Sequence, residues 1–239
     1  MKRMRRAALL IIGILSAGLL VVPAVEATIV PPGTTQSPDV FSTFGSPIPG
    51  ATAAGTSSNT SYTLTWEADV YLGGLCPTCL TFVYQVRNEV RPGIPDAIGR
   101  ITMGPLAGTF AGFLTDVGYA GPGFGGLDAF GPGTVAPISV DRSASGGTVG
   151  FQFAPTTPGG PGSAVRPGST TRVLVIETNA IGYTTGSLNF IDGDVLRVTA
   201  FAPNAASGTA AVPEPTTLLL IGSGLVGLGL ASRRIRRSR

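Results

Sequence analysis

Tyr62-Thr63-Leu64-Thr65-Trp66-Glu67-Ala68-Asp69-Val70-Tyr71-Leu72 is the stretch that decides the fold. Tyr62, Leu64, Trp66, Ala68, Val70 and Leu72 alternate with Thr63, Thr65, Glu67, Asp69 and Tyr71. Successive side chains of a strand point to opposite faces, so this period of two predicts a half-buried strand. A helix would spread the same apolar residues around its axis. Trp66 falls on the apolar side and reads as core, while Glu67 and Asp69 read as a solvated face. Phe82, Tyr84, Val86 and Val90 continue the alternation against Thr81, Gln85, Arg87 and Glu89, which predicts a hairpin with the first run.

Outward from that hairpin, further β-rich runs lie at about 98–103, 108–118, 135–140, 147–154, 171–178, 181–191 and 194–201. Gly or Pro punctuates almost every gap. Asp192-Gly193 between two such runs is a strong hairpin signal, and Asp192-Gly193-Asp194 reads as turn chemistry before it reads as calcium ligands. Two Gly/Pro-dominated gaps, 119–134 and 154–169, predict surface loops. Residues 28–60 are rich in Pro, Gly, Ser and Thr, with a short apolar patch at Val40–Phe44, and are expected to be a leader strand or linker. Eight or nine short strands with turn signals between them predict an all-β domain over 61–203. The expected form is an antiparallel, jelly-roll-like β-sandwich, followed by a linker at 204–212.

Composition narrows the chemistry. Gly 35 and Pro 20 among 239 residues suit turns, and 12 % charged residues is low against the roughly 25 % usual for soluble domains. There is no His, and Lys2 is the only Lys. A Ser-His-Asp arrangement, an imidazole metal site and a lysine Schiff base are therefore excluded. Nine of the 16 basic residues lie at the two chain ends. The middle carries seven scattered Arg against 11 acids, so nucleic acid is not an expected partner.

Both ends read as targeting devices. MKRMRR, an apolar run from Ala7 to Val22, and Pro23-Ala24-Val25-Glu26-Ala27 follow the layout of a secretory signal peptide, residues 1–27. Cleavage is expected after Ala27, with Ala24 as the alternative, by signal peptidase. At the other end, residues 213–239 hold Pro213-Glu214-Pro215, an apolar Gly-rich run over 216–231, and Arg233, Arg234, Arg236, Arg237 and Arg239. As a transmembrane helix, that run would extend about 24 Å, a little short of the hydrocarbon core. Arg233, Arg234, Arg236 and Arg237 would act as a cytoplasmic stop under the positive-inside rule.

These three parts in this order resemble the PEP-CTERM sorting signal. The resemblance implies an exosortase-like membrane protease as partner, Pro213, Glu214 and Pro215 as the sorting motif, and an inner-membrane intermediate. It further implies a Gram-negative host that makes extracellular polysaccharide, with the cell surface or matrix as destination. The stretches FVYQVRN, FLTDVGYAG, TVGFQF, VLVIETNAIGY and IDGDVLRVTAFAP are also similar to the extracellular β-domain common in PEP-CTERM proteins.

Within the middle, Cys76-Pro77-Thr78-Cys79 has the spacing of a redox pair, yet it lies between two strands rather than at a helix start. A β-turn keeps its first and fourth Cα within about 7 Å, and export takes the only two cysteines to an oxidising compartment, so a structural disulfide is expected. Glu67, Asp69, Glu89, Asp96 and Glu177 are available carboxylates, but solvated-face charges explain the first two without a hydrolase. Tyr71, Tyr119 and Phe124 are the possible ligand contacts for a polysaccharide. The expectation is an exported, non-enzymatic protein without metal or cofactor.

Overall fold

The computed structural model describes residues 27–93, 96–106, 109–153 and 164–206. They form twelve strands, with no helix among the described residues. The strands are β1 (Thr35–Gln36), β2 (Asp39–Phe41), β3 (Ser46–Ser58), β4 (Thr63–Leu72), β5 (Leu80–Asn88) and β6 (Arg100–Pro105). They continue with β7 (Thr115–Ala120), β8 (Ser139–Arg142), β9 (Val149–Gln152), β10 (Leu174–Thr178), β11 (Ala180–Ile191) and β12 (Val195–Ala206).

One sheet has the order β2-β7-β10-β5-β4-β3 and the other β1-β8-β9-β6-β11-β12. Every pairing is antiparallel except β2 with β7, which is parallel. β5 and β10 are neighbours in the first sheet, and the strands that follow them, β6 and β11, are neighbours in the second. Such paired crossings wrap the middle of the chain between the two sheets. The β3-β4-β5 meander and the β11-β12 hairpin depart from this pattern.

The alternation in the opening stretch is the reason for the layering. Leu64, Trp66, Ala68 and Val70 of β4 enter one core with Phe82 and Tyr84 of β5 and with Ile101, Phe151, Leu188 and Phe190 from the other sheet. The two tyrosine hydroxyls that enter that core find partners across it, as buried polar groups usually do, whereas the Trp66 indole nitrogen is buried with no partner among the described residues. The Tyr62 hydroxyl lies 2.7 Å from Asp194 O and 3.1 Å from Phe190 O, and the Tyr84 hydroxyl donates to Phe201 O at 2.8 Å.

Two expectations are corrected here. Residues 28–60 are not merely a leader ahead of the domain, because they supply β1, β2 and the edge strand β3. β3 pairs with β4 from Thr52–Ser58 to Thr63–Asp69, and its register shifts between Pro47 and Thr52. Pro is confined to edges and irregularities of a sheet, and Pro47 and Pro49 occupy that irregular part. Second, Glu67 and Asp69 are not solvated; they are 2 % and 8 % exposed. The Gly-rich segment 121–134 covers their face of the sheet. Ala129 N donates to Glu67 Oε2 at 2.7 Å, and Leu127 N to Gln85 Oε1 at 2.8 Å. A second apolar cluster, Phe44, Val83, Ala120, Leu127, Val173 and Val175, lies beneath this cover.

Both chain ends of the domain emerge at the same end of the sheets. Thr28 N donates to Asp116 at the start of β7. Thr115 of β7 pairs with Thr178, just before Ala180, which in turn pairs with Ala206.

Candidate functional site

On the outer face of the first sheet, Tyr71 of β4 follows Glu67 and Asp69 at strand spacing. Its ring meets Phe44 edge-on at 5.2 Å, and Phe44 meets Phe124 at 4.8 Å. Tyr71 and Phe124 are thus joined through a buried third ring rather than forming an open platform. Tyr119 is placed elsewhere: β7 turns Asp116 and Ala120 to this outer face, so Tyr119, one residue out of phase, takes the opposite face beside Val117. The hollow next to Phe124, lined also by Ala120, Gly121, Arg172 and Val173, has a volume of about 10 Å³, roughly enough for one water.

Acids surround the aromatic cluster. Burial raises the pKa of Glu67, opposed by the Ala129 N–H and reinforced by Asp69 and Asp128. Burial likewise raises Asp69, opposed by a hydrogen bond from Thr52 and reinforced by Asp128. Asp69 Oδ1 has no partner among the described residues. The Tyr71 phenol is pushed up by burial and then by these same charges. The patch therefore combines a half-buried aromatic edge with carboxyls biased towards their protonated, hydrogen-bond-donating form.

A second acidic group lies along the same sheet. Asp116 and Glu177 face each other across β7 and β10, and β2 brings Asp39 into register opposite Gly118. A Cβ at Gly118 would collide with the main chain of Asp39, so glycine permits this parallel approach. Asp116 is 3 % exposed. Its Oδ2 accepts from Thr28 N at 3.2 Å, and its Oδ1 has no donor partner. Burial, then the neighbouring Asp39 carboxyl and its charge, then the Glu177 charge hold the Asp116 carboxyl well above the usual range. Burial pushes Glu177 up to about 7. The ion pairs Arg87–Glu89 and Arg100–Asp141 lie elsewhere, and no arginine pairs with these three carboxylates among the described residues. Nor is any group of three or more metal-ligating side chains there arranged to hold a metal ion.

The remaining sequence candidates resolve into structure. Cys76 and Cys79 form a disulfide across the β4–β5 connection, with a Cα separation of 5.0 Å. Asp194 accepts from Asn59 Nδ2 at 2.9 Å and, with Thr60 at 3.3 Å, ties the β3–β4 turn to the β11–β12 turn. Arg142, unmarked by any motif, is 4 % exposed and donates to the carbonyls of Val30, Phe110, Phe113 and Gly146. Only its place beside apolar Val140 in a short strand hinted at burial.

The signal peptide, apart from Ala27, and the tail lie outside the described residues. The tail includes Pro213, Glu214, Pro215, residues 216–231, Arg233, Arg234, Arg236 and Arg237. Comparison with protein families matches residues 211–237 to the PEP-CTERM protein-sorting motif. The tail therefore carries a PEP-CTERM sorting motif, which in general implies export towards the cell surface in Gram-negative bacteria and processing by exosortase. The match covers the tail alone. No curated protein and no solved structure matches the chain.

Proposed function

We propose that this protein is an exported, non-enzymatic β-sandwich delivered to the cell surface or extracellular matrix. Signal peptidase removes residues 1–27, the helix over 216–231 halts in the inner membrane, and an exosortase-like protease reads Pro213-Glu214-Pro215 and releases the domain. The sorting motif at 211–237 is the observation that carries this reading. The common exit of both chain ends supports it. Only residues 207–212 separate β12 from Pro213, a span of at most about 20 Å, so the end bearing Thr28 and Ala206 would face the membrane before release.

In this scheme Glu214, a single carboxylate between two stiff prolines, is the recognition charge. Glu214→Ala is expected to leave the full tail on most of the protein, retained with membranes. Tail removal at the normal rate in this variant, followed by mass spectrometry, would contradict the assignment. A second reading, retention by extracellular polysaccharide, is favoured by the half-buried Tyr71 edge beside Asp69 and Asp128.

A further inference from the structure

The acidic group at Asp39, Asp116 and Glu177 has no role in sorting, and its composition is unusual for a partly buried site. Three carboxyls converge, one of them almost wholly inside, and no side-chain cation is paired with them among the described residues. Among the described residues, the donor within hydrogen-bond distance of the Asp116 carboxyl is a main-chain nitrogen, that of Thr28. Thr28 is the residue that follows the expected cleavage site.

We infer that removal of the signal peptide completes this site: the new α-ammonium of Thr28 docks on the Asp116 carboxylate, beside Asp39 and Glu177, and supplies the missing counter-charge. The inference rests on the proposed cleavage after Ala27. Before cleavage, the Thr28 nitrogen is an uncharged amide with one hydrogen. After cleavage it carries a full positive charge and three hydrogens in the same place. The backbone already fixes that place, so the amine need not search for its partner. Val30 N donates to Thr115 O at 2.8 Å, Ile29 bridges to Asp116, and Gln36 Nε2 donates to Thr28 O at 3.1 Å.

The unsatisfied atom points the same way. Asp116 Oδ1 is buried without a donor, and a carboxylate with one amide partner has further acceptor positions to fill. An ammonium brings two more donors to the group, and charge-assisted hydrogen bonds are about twice as strong as neutral ones. Cleavage after Ala24 would instead leave Val25-Glu26-Ala27 in front of Thr28. The nitrogen would stay an amide, and Glu26 would add a fourth acid nearby.

The test uses the processed protein recovered from its host. Lys2 is the only lysine, so a chain beginning at Thr28 has one aliphatic amine, and trace acetylation against pH reads that amine alone. The docked ammonium is expected to titrate at least one unit above the ordinary α-amino range of about 7.7–8.0. That shift slows acetylation about tenfold near neutral pH. Asp116→Asn should return the value to the ordinary range, and Glu177→Gln, a milder change at the half-buried member, should return it part of the way. A chain that begins at Thr28 but whose amine titrates normally, unmoved by Glu177→Gln, overturns the docking and leaves the processing intact. A chain that begins at Val25 or retains its leader overturns both.

Discussion

Glu177 and Asp116 make the stability of this domain depend on pH. An acid held above its unfolded value binds its proton more tightly when folded. Its contribution is therefore fully present below the ordinary value and is lost as pH rises through the folded value. For Glu177 that window runs from its ordinary 4.5 to about 7, and Asp116 extends it upward. With the Thr28 amine acetylated, the urea midpoint is expected to fall between pH 4.5 and pH 8, and Glu177→Gln should flatten part of the fall. An acetylated protein whose midpoint rises over that interval would contradict the assignment. The sequence did not announce these residues. Asp39, Asp116 and Glu177 are far apart in the chain, and only a parallel pairing through Gly118 brings the first of them to the others. Arg142 was nearly as silent, since a buried arginine satisfied by main-chain carbonyls has no partner that a spacing rule can find.

The β4–β5 hairpin was legible because its two strands alternate strongly and its connection carries the Cys pair. Closing so short a loop removes little chain entropy, so the disulfide contributes about 2 kcal/mol. Replacing both cysteines with Ser is expected to lower the unfolding free energy by about that amount while leaving the β circular dichroism spectrum unchanged. Loss of the fold would contradict a merely stapling role. β3 was illegible for a physical reason. Its inward positions include Ala51, buried, and Gly55, which lies against the Trp66 indole. Such small residues give almost no hydrophobic period. Glu67 and Asp69 misled for the opposite reason: their alternation was read correctly, but the cover supplied by 121–134 is a tertiary fact. Its Gly and Pro content marked it only as a loop.

At the scale of the whole molecule, the two ends were the most informative parts of the sequence, because targeting signals are read by machinery as linear order. Basic start, apolar run and small residues, or Pro-Glu-Pro, apolar run and arginines, need no fold to be recognised. The structure adds that Thr28 and Ala206 leave the domain at one end, so in the proposed scheme the same face would meet the membrane during entry and during exit. Under the proposed scheme, removal of the leader and removal of the tail would be two events at one end of the domain, the first completing the inferred charge balance of the fold. The most direct test of this account is the intact mass of the protein recovered separately from host membranes and from the surface or culture fluid. The account predicts a released form that begins at Thr28 and ends within Pro213–Thr217. A protein found only with membranes and always carrying Arg239 would contradict it.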